Sequence, residues 1–230
     1  MLASDDPGAV LWDMDGTLVD SEKVWTISLA DTARRLGGEL SARAREDMVG
    51  SSMPRSLGIM FDDLGLPHEA DRLATAERWL TERTGELFAA GLEWRPGALG
   101  ALRAVRAAGW PTALVTNTLR SLTEQALESI GREHFTVTVC GDEVPHGKPA
   151  PDPYLRAAEL LGVAPEQCLA IEDSPTGAIA AERAGAAVLV VPCEVPVPAG
   201  PQRVHRASLT GLTAADVRAG YAQARSKRAA

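Results

Sequence analysis

AVLWDMDGTLVDS, residues 9–21, decides how the rest of this chain is read. Ala9-Val10-Leu11-Trp12 is a short apolar run that ends in two aspartates, Asp13 and Asp15, with Gly16 and Thr17 following at once. A run apolar at every position, rather than at alternate ones, reads as a strand covered on both faces, as in a parallel sheet packed between helices. Two carboxylates at the end of such a strand repel each other, and burying even one is costly. A divalent cation is the simplest species that offsets both penalties.

Four further runs have the same character: PTALVT from Pro111, FTVTVC from Phe135, CLAIED from Cys168 and AAVLVV from Ala186. Helical patterns connect them. Leu119, Leu122, Ala126 and Ile130 recur at spacings of three and four, as do Leu155, Ala158 and Leu161. Strand alternating with helix predicts an α/β core, a Rossmann-like parallel sheet flanked by helices and joined by right-handed crossovers. The first connection departs from this rhythm, with no convincing strand from Glu22 to Glu93. Trp25, Leu29, Ala33 and Leu36 mark one amphipathic helix, closed by Gly37-Gly38; Leu73, Ala76, Leu80, Thr84 and Leu87 mark another. Residues 21–93 are therefore expected to form an inserted all-helical cap over a catalytic core built from residues 1–20 and 94–230. WRPGA (94–98) is the return hinge, and the tail RSKRAA is expected to fray.

Composition narrows the partners. The 230 residues are 45% hydrophobic and 23% charged, ordinary for a folded soluble protein. The net charge of −8 argues against nonspecific binding to nucleic acid or to an anionic membrane. No apolar stretch approaches the ~20 residues of a membrane span. The start MLASDDPGAV has neither the basic residues nor the apolar run of a signal peptide, so a cytoplasmic address is expected, as monomer or weak dimer. Cys140, Cys168 and Cys193 fit neither a disulfide framework nor a CxxC metal site and are read as small core hydrophobes.

Polar groups gather where the strands end. The first run stops at Asp13 and Asp15, and the second at Thr116, Asn117 and Thr118. The third is followed by GDEVPHGKPAPDPY with Lys148, and the fourth ends in IEDSPTG with Glu172 and Asp173. Carboxyl ends of parallel strands meet on one edge of the sheet, where α/β proteins bind ligands. Each motif has a bland reading: Asp152-Pro153 and Ser174-Pro175 are good helix starts, and Asp173 suits a helix N-terminus. Four in succession, each at a strand end, point to one crevice instead.

Together, DMDGTLVDS, TNT, GKPAPDPY and IEDSPTGAIAA resemble the four signature motifs of the haloacid dehalogenase superfamily. They are most similar to its sugar-phosphatase and β-phosphoglucomutase-like branch, whose helical cap follows the first motif. The resemblance implies that Asp13 attacks phosphorus to form an aspartyl phosphate and that Asp15 protonates the leaving oxygen and then activates water. It implies magnesium held by the Asp13 and Asp173 carboxylates, the Asp15 carbonyl, and Glu172 directly or through water. Thr116 and Asn117 would hold the phosphate, Lys148 would neutralise it, and Gly16 would let the backbone curl around it. Asp15 points to phosphoryl transfer, because dehalogenases of the superfamily have no alkoxide to protonate.

The expected function is a magnesium-dependent phosphatase of a small phosphorylated metabolite, a sugar or polyol phosphate. A phosphomutase is the alternative, and a non-catalytic phosphometabolite-binding protein a weaker one. The mutases carry a histidine where this chain has Trp25, and a G-x-S-R setting where it reads Gly50-Ser51-Ser52-Met53, with its arginine deferred to Arg55. Arg55, Arg78, Arg83 and the GSSMP stretch are the candidate substrate contacts in the cap, with Arg55 favoured.

Overall fold

The structure, a computed structural model, describes residues 6–48 and 51–228. In chain order its elements are β1 (Ala9–Trp12), α1 (Glu22–Arg35), α2 (Ala42–Met48), α3 (Met53–Asp63), α4 (Ala70–Ala89), α5 (Ala98–Ala107), β2 (Thr112–Val115) and α6 (Arg120–Ile130). β3 (Val137–Val139), α7 (Asp152–Leu161), β4 (Cys168–Glu172), α8 (Pro175–Ala184), β5 (Ala187–Val190), β6 (Arg203–His205) and α9 (Ala214–Arg228) follow. All six strands are parallel, in the order β3-β2-β1-β4-β5-β6. The chain leaves β1 in one direction for β2 and β3, and returns to its other side for β4. This reversal opens a crevice at the carboxyl ends of β1 and β4, the place where doubly wound sheets hold ligands.

Alternation along β1 divides the core. Val10 and Trp12 face one apolar layer, with Leu102 and Val105 of α5, Leu122 of α6 and Val217 and Tyr221 of α9. Ala9 and Leu11 face the other, which α7 and α8 fill largely with alanines: Ala157, Ala158, Ala178, Ala181 and Ala184. Small side chains let those two helices lie close to the sheet. Every residue of β1, β2, β4 and β5 is buried, as the continuously apolar runs require.

Between β1 and α5 the described residues contain helices and no strand apart from isolated bridges. Leu80 and Phe88 of α4 and Phe61 of α3 join the same apolar layer as Trp12, so the helical insert packs over the crevice end of the sheet. Its two connections are tied together: the Asp20 N–H donates to the Glu93 carbonyl at 2.8 Å, and the Arg95 N–H to the Leu18 carbonyl at 2.8 Å.

Two expectations need correction. β6 was not foreseen, because Arg203-Val204-His205 has no apolar run; as an edge strand it needs only one partner, β5. The tail does not fray at Arg225: it continues α9, where the Lys227 ammonium donates to the Arg203 carbonyl at 2.8 Å and Arg225 stacks on Tyr221. Ala229 and Ala230 lie outside the described residues, as does Gly50 of the GSSMP stretch. No helix among the described residues is long and apolar enough to cross a membrane.

Candidate active site

Register places the acids. Trp12 pairs with Leu114 on one side and Ile171 on the other, so the next residue, Asp13, falls between the ends of β2 and β4. Lys148 reaches this point from the loop before α7. Its Nζ donates to Asp13 Oδ1 at 2.6 Å, Glu172 Oε1 at 2.7 Å and the Val115 carbonyl at 2.8 Å. All three ammonium protons are committed, and the side chain is only 4% exposed. Lys148 therefore ties Asp13 to Glu172 and to the end of β2 in this state. Asp13 Oδ2 is buried and accepts no hydrogen bond, which marks it as an atom meant for something else.

Asp13, Glu172 and Asp173 present carboxylate oxygens within 4.8 Å of one another, all buried. One lysine cannot neutralise three carboxylates. Burial, then Glu172, push the Asp13 carboxyl up to about 8 despite Lys148. Burial, then Asp13 and Glu172, carry Asp173 well above the carboxylate range. An oxygen-only donor set short of positive charge fits a hard divalent cation such as magnesium. Glu172 is the most constrained of the three. Tyr154 Oη donates to its Oε1 at 2.5 Å and Ser174 Oγ to its Oε2 at 3.2 Å. Ser174 also caps α8 by accepting from the Gly177 N–H at 3.1 Å, so the expected capping role holds beside the functional one. Asp152 likewise begins α7.

Two glycines are required here. Gly16 has φ +79°, and a Cβ there would lie 2.1 Å from Asp173 Oδ2. A Cβ on Gly177 would lie 1.9 Å from Glu172 Oε1. The first lets the backbone after Asp13 turn beneath the acids; the second lets α8 start against them.

Asp15 spans two parts of the chain. Its Oδ2 accepts from Thr116 Oγ1 at 3.0 Å and Thr118 Oγ1 at 2.8 Å, at the end of β2. Its Oδ1 accepts from Ser21 Oγ at 2.7 Å and the Trp25 indole N–H at 3.0 Å, at the start of α1. The Thr116 hydroxyl, expected on phosphate, is thus turned to Asp15 in this state. Asn117 is occupied too. Its amide donates to the Lys148 carbonyl at 3.1 Å and accepts from the Lys148 N–H at 2.7 Å, so its side chain holds the lysine loop in place.

The cleft continues from these acids beneath the helical insert, past Glu22, Trp25, Leu29, Met48, Met53 and Leu80. Ser51 lines it, which agrees with the expected position of the GSSMP stretch, although the adjoining Ser52, Met53 and Pro54 cap and begin α3. Arg55 does not: it is exposed on α3 and absent from the lining, because its place in the first turn points it away from the apolar face carried by Met53, Ser56 and Leu57. Arg45 lines the cleft in its stead. Arg83 is paired with Asp31 and Glu86 on the insert's surface, and Arg78 lies exposed beside Glu82. Glu22, Tyr154, Thr118 and Glu194 are site residues that sequence reasoning assigned no role. For Tyr154 a signal existed, six residues past Lys148 on the first turn of a helix. Burial, then Asp15, Glu194 and Asp20, push the Glu22 carboxyl up to about 7. The cysteines are free, and burial pushes the Cys140 thiol up to about 11 and Cys168 to about 12, so they pack as protonated thiols.

Comparison with known proteins agrees with this geometry. Residues 7–185 match the family model described as haloacid dehalogenase-like hydrolase. The chain is 31% identical over 228 residues to hexitol phosphatase B of Escherichia coli, covering 91% of this chain and 96% of that one. It is 32% identical over 188 residues to the bifunctional riboflavin kinase/FMN phosphatase of Arabidopsis thaliana, covering 80% of this chain and 48% of that longer protein. Among solved structures, CbbY of Rhodobacter sphaeroides in complex with xylulose-(1,5)bisphosphate superposes with a TM-score of 0.80 at 29% identity, covering 90% of this chain and 96% of that one. The strand-end acids, the helical insert and the matched span all lead to one conclusion: the chain belongs to the haloacid dehalogenase-like hydrolases, and within them to the enzymes that cleave phosphomonoesters.

Proposed function

We propose that this enzyme is a magnesium-dependent phosphatase of a small sugar or polyol phosphate, working through an aspartyl phosphate on Asp13. The carrying observation is the Asp13 carboxylate itself, with Oδ1 held by Lys148 and Oδ2 buried without a partner beside the cleft. Fixed at one oxygen, Asp13 has the other free to attack phosphorus; the ester P–O bond breaks as the Asp13 O–P bond forms. Asp15 supplies the proton to the leaving oxygen, exchanging one of its four donors for the substrate. In the second step it takes a proton from water as the water oxygen bonds to phosphorus, the Asp13 O–P bond breaks, and inorganic phosphate and the free Asp13 carboxylate are released. Asp13 and Asp173, with the Asp15 carbonyl and Glu172 directly or through water, would hold the magnesium ion, whose chemistry is to neutralise charge on the transferring phosphoryl group. Residues 21–93 act as a cap that excludes water during attack, hinged at Asp20-Ser21 and Trp94-Pro96, where the two connections lie hydrogen-bonded together. A mutase reading gains nothing here, since the Trp25 indole can donate to Asp15 but cannot accept a proton from a sugar hydroxyl.

The test is phosphate release from an aryl phosphate and a panel of phosphorylated metabolites, with Asp13→Asn as control. Turnover that stops with chelation, returns with Mg2+ and is lost in a folded Asp13→Asn protein supports the reading. Release undiminished by Asp13→Asn refutes the covalent route.

A further inference from the structure

Beyond the phosphate end, formed by Asp13, Asp15, Asp173 and Lys148, the cleft carries more negative than positive charge. Among the described residues lining that part, two carboxylates, Glu22 and Glu194, stand against one cation, Arg45. The three protons of Lys148 are already committed. Arg45 is exposed on α2, with its Nε donating to the carbonyl of Ser41, the residue before that helix, at 3.4 Å. The helical insert's side of the lining is largely apolar, with Leu29, Met48, Met53 and Leu80 outnumbering the hydroxyls of Thr26, Ser51 and Ser56. A second anionic end lodged beside Glu22 and Glu194 would meet like charge, with Arg45 the one cation lining this part of the cleft among the described residues.

Glu22, half-buried in the first turn of α1, lines this part of the cleft. It accepts no hydrogen bond and forms no ion pair with any described residue. The partnerless Asp13 Oδ2 independently fixes where the phosphate end of the ligand goes. A carboxylate left without a donor in a ligand cleft is satisfied by donors on the ligand, and hydroxyls are the neutral donors that a phosphorylated metabolite carries.

We propose, resting on the phosphatase reading above, that this enzyme selects monophosphate esters of an uncharged, hydroxylated leaving group. Glu22, with Glu194 near it on the lining, accepts hydrogen bonds from the leaving group's hydroxyls and rejects a second phosphate or a carboxylate. On this reading the chain parts from CbbY, whose solved complex holds a bisphosphate, despite the shared fold.

The experiment compares matched substrates: a hexitol 6-phosphate, the aldonate 6-phosphate that carries a carboxylate for one terminal hydroxymethyl, and the corresponding 1,6-bisphosphate. An aryl phosphate reports the chemical step. The hexitol ester is expected to exceed both anionic analogues in kcat/KM by about tenfold or more, the scale of one like-charge contact. Glu22→Gln is expected to narrow that ratio by about tenfold, chiefly through KM for the anionic analogues, and Glu22→Gln/Glu194→Gln to narrow it further. Should the variants fail to fold, the wild-type ratio is expected to shrink between 20 and 500 mM KCl, as screening weakens the repulsion. Wild-type preference for an anionic analogue, or a ratio indifferent both to the substitutions and to salt, overturns the proposal. Aryl phosphate turnover without hexitol preference overturns it while leaving the phosphatase reading intact. No turnover of any ester, the aryl phosphate included, overturns both.

Discussion

Glu22→Gln is expected to make the protein more stable, and the gain should depend on pH in a defined way. Glu22 rises from its ordinary 4.5 to about 7 in the folded chain, with burial first among the causes and Asp15, Glu194 and Asp20 adding to it. Asp15 lies at the end of β1, Asp20 just before α1 and Glu194 in the segment after β5, so carboxylates press on Glu22 from several elements; Lys148 and Arg45 are the cations among the described lining residues. The sign follows from linkage. Below about pH 4 folded and unfolded chains are both largely protonated at this group, and it contributes little. Between 4.5 and about 7 the folded chain keeps the proton while the unfolded chain has lost it, so stability falls as pH rises. Above about 8 both are ionised and the penalty is complete. At about 1.36 kcal/mol per pH unit, the interval corresponds to about 3 kcal/mol. Glu22 is only half-buried, and solvent screening reduces this to about 1–2 kcal/mol. Glutamine keeps the shape and removes the charge. Urea unfolding in metal-free buffer at pH 5, 6, 7 and 8 measures the effect. The variant should exceed the wild type by only a few tenths of a kcal/mol (about 0.2–0.5) near pH 5 and by about 1–2 kcal/mol at pH 8, the latter roughly 2–8 °C in Tm for a chain of this size. A gain equal at every pH, or a loss at pH 8, refutes the electrostatic reasoning.

Three other outcomes follow from the same site. Asp15→Asn should lose far more activity on alkyl phosphates than on aryl phosphates, because a phenolate leaves with less need of a proton; equal losses would remove Asp15 as the acid. Gly16→Ala should cost about 1 kcal/mol or more of stability and most of the activity, since its Cβ would stand 2.1 Å from Asp173 Oδ2 at φ +79°; a wild-type melting curve would contradict the geometry. Tyr154→Phe should destabilise by about 1.5–3 kcal/mol, the range for a hydrogen bond to a charged group, and should weaken Mg2+ binding measured by calorimetry, because Glu172 Oε1 loses one of its two donors. Unchanged Mg2+ affinity would confine Tyr154 to a packing role.

Much of the core was legible because the information is local. A short apolar run with no alternation, rich in Val, Leu and Ile, reads as a strand buried on both faces, and a polar residue ending such a run in a parallel sheet stands at the carboxyl edge. Asp13, Thr116, Glu172 and Asp173 were placed by that rule alone, before any contact was known. The sequence by itself also determined that the insert is helical, through the 3.6-residue periodicity of Trp25–Leu36 and Leu73–Leu87 and the lack of strand runs between them, while α2 and α3 came only with the structure. What only tertiary structure decided are the pairings between groups far apart in the chain: Lys148 with Asp13, 135 residues away, and Asp15 with Thr118, 103 residues away. Hydrogen-bond partners depend on positions good to a few tenths of an ångström, which no spacing rule supplies. Thus Asn117 and Thr116, polar and well placed, turned out to hold Lys148 and Asp15 in this state, while Tyr154 became the partner of Glu172. Arg55 shows the same limit from the other side. Its type suited phosphate chemistry, but the phase of α3 was set by burying Met53, Ser56 and Leu57, and that left the arginine in water.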